Sequence, residues 1–285
     1  MDAAVIDSHQ HFWRIARGDY GWMLPAMGEP LYRDYLPSDL APLLRRAGVH
    51  RSIVVQAAAT EAETAFLLDL AASEDFIAGV VGWLDMEDPA FATKLDALAA
   101  HPKFVGLRPM LQDIDDDAYI LRPAVLSSLR AIRDRNVAFD FLTFPRHLPH
   151  VAEALEAVPG LRAVIDHLSK PPIATGMTQG WADDLHRVAQ HPNVFCKLSG
   201  MITEACHDSW SPDDLAPFVA HAVSAFGAKR LMFGSDWPVC LLAGSYAEVI
   251  NALRSVLQNH ISNDEMAGVL GGNAARFYRL EGARK

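Results

Sequence analysis

The sequence predicts a single α/β domain over residues 1–285, a (β/α)₈ barrel of eight parallel strands with a long loop after the first. Three observations carry this. Eight short apolar runs alternate with longer amphipathic stretches from end to end, the pattern of a parallel sheet with helices outside. Eight such units in 285 residues is the size a closed barrel needs. An open doubly wound sheet is the alternative, but no Gly-x-Gly-x-x-Gly phosphate loop follows any run.

The first run, 5–11, follows a short polar start and ends in His9 and His11. Trp13 to Pro37 is irregular but carries Tyr20, Trp22, Tyr32 and Arg33, too aromatic for a tether, and is expected to cover one end of the barrel. The later strands are expected at 52–58, 77–85, 105–111, 138–144, 162–168, 194–200 and 231–236. Helical periodicity fills 61–73, 90–100, 123–135, 147–157, 181–190 and 213–226. Ser38 and Ser211 are expected as N-caps, with Pro123, Pro149 and Pro212 in first turns. With no internal repeat, low-complexity segment or linker, one domain suffices.

Composition excludes several classes. Hydrophobic residues at 51% allow a sizeable core, and a net charge of -10 without a basic run disfavours nucleic acid and anionic membranes. No apolar span is long enough for a membrane, and Met1–Ala4 lacks a basic leader region. Cys196, Cys206 and Cys240 are too few for a disulfide framework. A reduced, cytoplasmic setting is expected, with a small molecule as partner.

Barrel chemistry sits at the C-terminal ends of the strands. Two positions apart on a strand, His9 and His11 face one way. Each could be a satisfied core histidine, a metal ligand or an oxyanion donor. Asp166 and His167 end strand six and Asp236 ends strand eight, so three imidazoles and a carboxylate converge on one mouth. His101, His147, His150, His191, His221 and His260 are expected on the solvated surface. Gln56, Trp83, Asp85, Asp140 and Ser199 add polar or aromatic strand ends. Arg108 and Lys197 lie within apolar runs, where an unpaired charge is costly; each needs a buried carboxylate such as Asp140 or Asp166, or a substrate. Trp13, Trp83 and Trp237 are expected as pocket walls, and Cys240 as an inert thiol.

At these residues the chain resembles the amidohydrolase superfamily, through His-x-His on strand one, a strand-six His and a strand-eight Asp. It is more narrowly similar to the sugar and aromatic lactonases of the amidohydrolase-2 type, such as L-fuconolactonase- and L-rhamnonolactonase-like hydrolases. The segments that carry this are 7–13, 105–109, 164–172, 196–200 and 231–239, nearly the whole length. Arg108 stands where the wider superfamily has a bridging Lys, and Asp140 where it has a His, so a two-metal centre is not expected. The resemblance allows one Zn²⁺ on His9, His11 and Asp236, with His167 as a further ligand, and equally allows a metal-free mechanism.

The activity this implies is hydrolysis of a small aldonolactone, such as L-fuconolactone, to its hydroxy acid. Such a reaction needs a positioned water, a base and an oxyanion partner. Asp236 is expected to be the base, and His9, His11 and His167 to polarise the carbonyl, directly or through Zn²⁺. Arg108, Gln56, Trp83, Asp140, Lys197, Trp13 and Trp237 are expected to bind substrate. A dicarboxylate lactone would call for more strand-end arginines than Arg108, with Arg33 as the only other candidate. The rivals are a metal-dependent decarboxylase of an aromatic acid and a non-catalytic binding barrel.

Overall fold

A computed structural model describes residues 4–280. Met1–Ala3, on which the absence of a leader was argued, and residues 281–285 lie outside the described residues. Eight strands pair in parallel in chain order: β1 (Ile6–Gln10), β2 (Arg51–Val55), β3 (Ile77–Gly82), β4 (Phe104–Leu107), β5 (Ala138–Phe141), β6 (Ala163–Ile165), β7 (Val194–Leu198) and β8 (Leu231–Phe233). The ring closes from β8 to β1 through single bonds. Asp236 N–H donates to the His9 carbonyl at 2.8 Å, and His11 N–H donates to the Trp237 carbonyl at 2.7 Å. The Ser8 hydroxyl donates to the Phe233 carbonyl at 2.6 Å. The barrel read from the sequence is the observed fold.

A helix follows each strand: α1 (Pro37–Ala47), α2 (Glu61–Ser73), α3 (Phe91–Ala99), α4 (Pro123–Asp134), α5 (Leu148–Ala157), α6 (Gln179–Ala189), α7 (Pro212–Phe226) and α8 (Tyr246–Leu257). Two short ones follow, α9 (Asn263–Ala267) and α10 (Asn273–Tyr278). Between these two, Gly271 passes so close that a Cβ would stand 1.9 Å from the Ala4 carbonyl oxygen, which only glycine permits. Phe277 and Tyr278 of α10 pack with Ile6, Ile53 and Val164 inside the barrel. Among the described residues no helix is long and apolar enough to cross a membrane.

Two local expectations need correction. Ser38 is not a cap: α1 starts at Pro37, and Leu36 is the N-cap, its N–H bonded to the Asp39 carboxylate at 2.9 Å. Ser211 does cap α7, with Pro212 at the first position. Apolar runs such as 52–58 also outlast their strands, because the chain stays buried after the ladder ends, as at Ala57, Ala58, Leu84 and Leu142. Apolarity marks burial here, not pairing.

The long segment after β1 folds over the barrel mouth as expected. Trp13 and Tyr35 exchange backbone hydrogen bonds of 3.0 Å. Trp13 meets Trp22 and Tyr35 edge to face at 5.6 and 5.4 Å, and Tyr35 meets Trp237 at 5.0 Å. The Trp22 indole donates to the Ala57 carbonyl at 2.7 Å, and the Tyr20 hydroxyl donates to Glu63 of α2 at 2.8 Å.

Candidate active site

The site is built from β1 outward. His9 and His11 share one face, their Nε2 atoms 3.2 Å apart. His11 Nδ1 lies 2.7 Å from the Val55 carbonyl, which can only accept, so Nδ1 carries a proton and Nε2 is turned to the site. Asp236 follows β8 with φ +56, a left-handed conformation a non-glycine residue holds only where its surroundings impose it. Asp7 imposes it. Its carboxylate takes the Ser235 N–H at 2.8 Å, the Ser235 hydroxyl at 2.6 Å and the Tyr246 hydroxyl at 3.0 Å. Gly234 leaves the room: a Cβ there would stand 2.6 Å from His9 Cβ. One oxygen of Asp236 then lies 3.2 Å from His11 Nε2, 3.6 Å from His9 Nε2 and 3.8 Å from His167 Nε2.

His167 arrives by a strained turn. His167, Leu168, Ser169 and Lys170 are all left-handed, with φ of 53, 53, 60 and 51. Buried bonds hold this run: Trp181 Nε1 to the Leu168 carbonyl at 2.9 Å and Thr143 to Ser169 at 2.8 Å. The His167 Nδ1 lies 2.8 Å from the Ser199 hydroxyl. Gly200 beside it could not be alanine, since its Cβ would stand 2.7 Å from that nitrogen.

Beneath the imidazoles lies a buried ion network. Lys197 Nζ is 2.5 Å from Asp140, 3.0 Å from Asp166 and 3.1 Å from His9 Nδ1. Asp140 also accepts from the Tyr278 hydroxyl at 2.7 Å. Arg108 Nη1 lies 3.3 Å from His9 Nε2 and 3.6 Å from Asp166, while Nη2 donates to the Gln56 carbonyl. In return the Gln56 amide donates to the Arg108 carbonyl at 2.6 Å.

Burial sets the protonation. It pushes His167 down to about 4 and lowers His9, so both rings are neutral near neutral pH. For Asp236, burial works upward, but His167, the His11 hydrogen bond and His9 outweigh it, and the carboxyl is held below its usual range. Burial raises Asp140 to about 6 even against Lys197. Asp166 moves the other way, because Lys197 and His9 overcome its burial. The Cys240 thiol is pushed up by burial and stays protonated, as expected of an inert group.

A cavity of about 300 Å³ opens over Asp236, His11 and His167. Trp13, Trp22, Met27 and Leu31 of the long loop wall one side, and Arg108, Met110, Gln112 and Lys170 another. Of the expected substrate contacts, Trp13 and Arg108 line this space. Gln56, Asp140 and Lys197 do not: they are fully buried, Gln56 bonded to Arg108, and Asp140 paired with Lys197 and Tyr278. Trp237 is buried against Phe12 and Tyr35. Trp83 lines a neighbouring cavity, and Arg33 pairs with Asp39 at 3.1 Å. His9 is wholly buried below the floor rather than facing the cavity. His147, expected on the surface, is buried and accepts the Phe144 N–H at 3.0 Å. Met27, Leu31, Met110, Gln112 and Lys170 were not legible as site residues. Only Lys170 had a signal, its place in the strand-six segment.

The donor set fits one zinc ion. His9, His11 and Asp236 each offer a ligand atom, at mutual distances of 3.2, 3.2 and 3.6 Å. Tetrahedral zinc with bonds of about 2.0–2.1 Å has donor edges of about 3.3 Å. The chemistry also fits, since His11 Nδ1 is spent on the Val55 carbonyl and leaves Nε2 as its ligand atom, and Asp166, 3.4 Å from His9 Nδ1, can orient the other ring.

A family model described as amidohydrolase matches residues 6–280. The chain is 43% identical over 281 residues to an L-fucono-1,5-lactonase of Burkholderia ambifaria, covering 97% of this chain and 96% of that protein. It is 40% identical over 294 residues to an L-fucono-1,5-lactonase of Burkholderia multivorans, covering 98% and 97%. A crystal structure of an amidohydrolase from Burkholderia multivorans with bound zinc superposes with a TM-score of 0.93 at 40% identity, over 98% of this chain and all of that one.

Proposed function

The chain belongs to the amidohydrolase family, and from that premise we propose that it is a lactonase opening a small sugar lactone, such as L-fuconolactone, to its hydroxy acid. One observation carries the reading: an Asp236 carboxylate ringed by three imidazole nitrogens on the floor of a cavity of about 300 Å³. That volume suits a single small ring.

In the proposed reaction the lactone carbonyl lies over Asp236, and a water between them loses its proton to that carboxylate as it attacks the carbonyl carbon. His167 and Arg108, which face the cavity, stabilise the developing oxyanion. His11, with its Nε2 3.2 Å from the Asp236 carboxylate, orients that carboxylate toward the water. His9 acts from below, fixing Asp236 and His11. When the tetrahedral intermediate collapses, the ring C–O bond breaks and Asp236 returns its proton to the leaving oxygen. If zinc is bound, His9, His11 and Asp236 would hold it, with His167 beside them, and it would supply Lewis-acid polarisation.

A panel of sugar lactones followed with a pH indicator tests the reading, because each turnover releases one acid. Hydrolysis of at least one six-carbon aldonolactone well above the spontaneous rate is expected. No hydrolysis across the panel, together with CO₂ release from aromatic acids, would place the chain with the decarboxylases instead.

A further inference from the structure

The catalytic cavity does not end at its own wall. A second cavity of about 470 Å³ adjoins it, and Trp22, Ala57, Met110 and Asp113 line both. The second space thus lies directly against the first, with these four residues between them. Trp22 is one of them, and its bond to the Ala57 carbonyl holds its ring in place. Beyond it stand Trp83 and Tyr119. Trp83 is fixed through its backbone, its N–H bonded to the Thr64 hydroxyl at 2.8 Å.

The polar groups there point to a ligand rich in hydroxyls. Asp19 spends one carboxylate oxygen on Arg17 at 2.5 Å and on the Thr60 hydroxyl at 3.1 Å. Its other oxygen is buried and accepts from no group among the described residues. Asp19, Thr60 and Asp113 line the same cavity as the three aromatic rings. Flat rings that cover the C–H face of a sugar, beside carboxylates that accept from its hydroxyl edge, are the elements of a saccharide site. A six-carbon lactone over Asp236 needs only the inner cavity, so the outer one is left for a group attached to it.

We infer that the preferred substrates are aldonolactones bearing a second, O-linked sugar ring, which sits in the outer cavity against Trp22, Trp83 and Tyr119. This rests on the lactonase reading above. The chemistry is unchanged: water opens the lactone, and the glycosidic bond stays intact.

The test compares kcat/KM for plain six-carbon aldonolactones with that for aldonolactones prepared by oxidising a set of disaccharides. These are measured with the wild type, Trp83→Ala and Trp83→Phe. At least one glycosylated lactone should exceed its plain parent by tenfold or more. Trp83→Ala should remove most of that advantage, Trp83→Phe should restore part of it, and the plain lactone should change less than twofold in both. The inference is overturned if plain lactones are hydrolysed and every glycosylated one is slower, or if Trp83→Ala lowers both kinds alike. Failure on plain and glycosylated lactones together would instead remove the lactonase reading, and this inference with it.

Discussion

The Nε2 atoms of His9 and His11 face each other across 3.2 Å at the end of β1. Two lone pairs cannot share that gap. His11 Nδ1 already holds a proton against the Val55 carbonyl, so either one ring donates a hydrogen bond across the gap from Nε2 or both rings ligate one cation. Lys197 and Asp166 lie at 3.1 and 3.4 Å from the far nitrogen of His9 and serve the two cases respectively. Lysine as donor leaves the His9 proton on Nε2, whereas the carboxylate as acceptor draws it to Nδ1 and frees Nε2 for metal.

Zinc is expected to be a passenger rather than the catalyst. A lactone carbonyl is already electrophilic, and His167 and Arg108 face it in either case. Protein stripped with a strong chelator, its metal content checked by elemental analysis, should therefore retain most of its turnover. Loss of activity on stripping, with recovery in proportion to added Zn²⁺, would overturn this.

Asp236→Asn keeps the shape of the site but cannot accept a proton. It should lower kcat at least about a hundredfold, the usual scale for a lost general base. Circular dichroism should show an intact fold. Near-normal turnover in folded protein would move the base elsewhere.

Arg108 lines the cavity while tied to the Gln56 carbonyl and close to Asp166. Arg108→Met should lower kcat/KM by about tenfold or more, the cost of one lost charged contact. Arg108→Lys should recover little, because one ammonium cannot span these partners as a guanidinium does. Unchanged kinetics with a lowered Tm would make Arg108 purely structural.

Lys197 is a different case, buried between Asp140 and Asp166. Removing it strands two carboxylates, and Lys197→Met should destabilise the fold by about 3–5 kcal/mol. Denaturant unfolding checks this. A variant of normal stability with only a raised KM would return Lys197 to the substrate role expected of it from the sequence.

Glu63 should give stability a pH dependence. Burial raises its carboxyl from 4.5 to about 7, despite the Tyr20 hydrogen bond. The fold thus favours the protonated acid, and this contribution is complete below about pH 4.5 and lost as pH rises through about 7. Glu63→Gln stays neutral throughout, so its stability relative to wild type should rise by up to about 3 kcal/mol over that window. Parallel unfolding curves for the two proteins from pH 4 to 8 would refute the assignment.

Much of the site was legible in the sequence because it depends on short-range order. Strand periodicity puts His9 and His11 on one face, and the end of each apolar run marks a barrel mouth, where His167 and Asp236 stand. Those four converge within 3.8 Å around one carboxylate oxygen. Depth was not legible. Asp140 and Lys197 lie near strand ends, yet tilt and stagger set them below the floor with His9, where they pair with each other. Lys170 instead reaches the cavity from a left-handed turn that no periodicity announces. Trp13, Trp83 and Trp237 looked alike as strand-end aromatics, and packing sent them to the cavity, its neighbour and the core. Sequence by itself determined the barrel and its acid–imidazole centre, since alternation and strand ends are local properties of the chain. Only the tertiary structure decided which charges meet substrate and which meet one another, because that depends on strands brought together across the barrel.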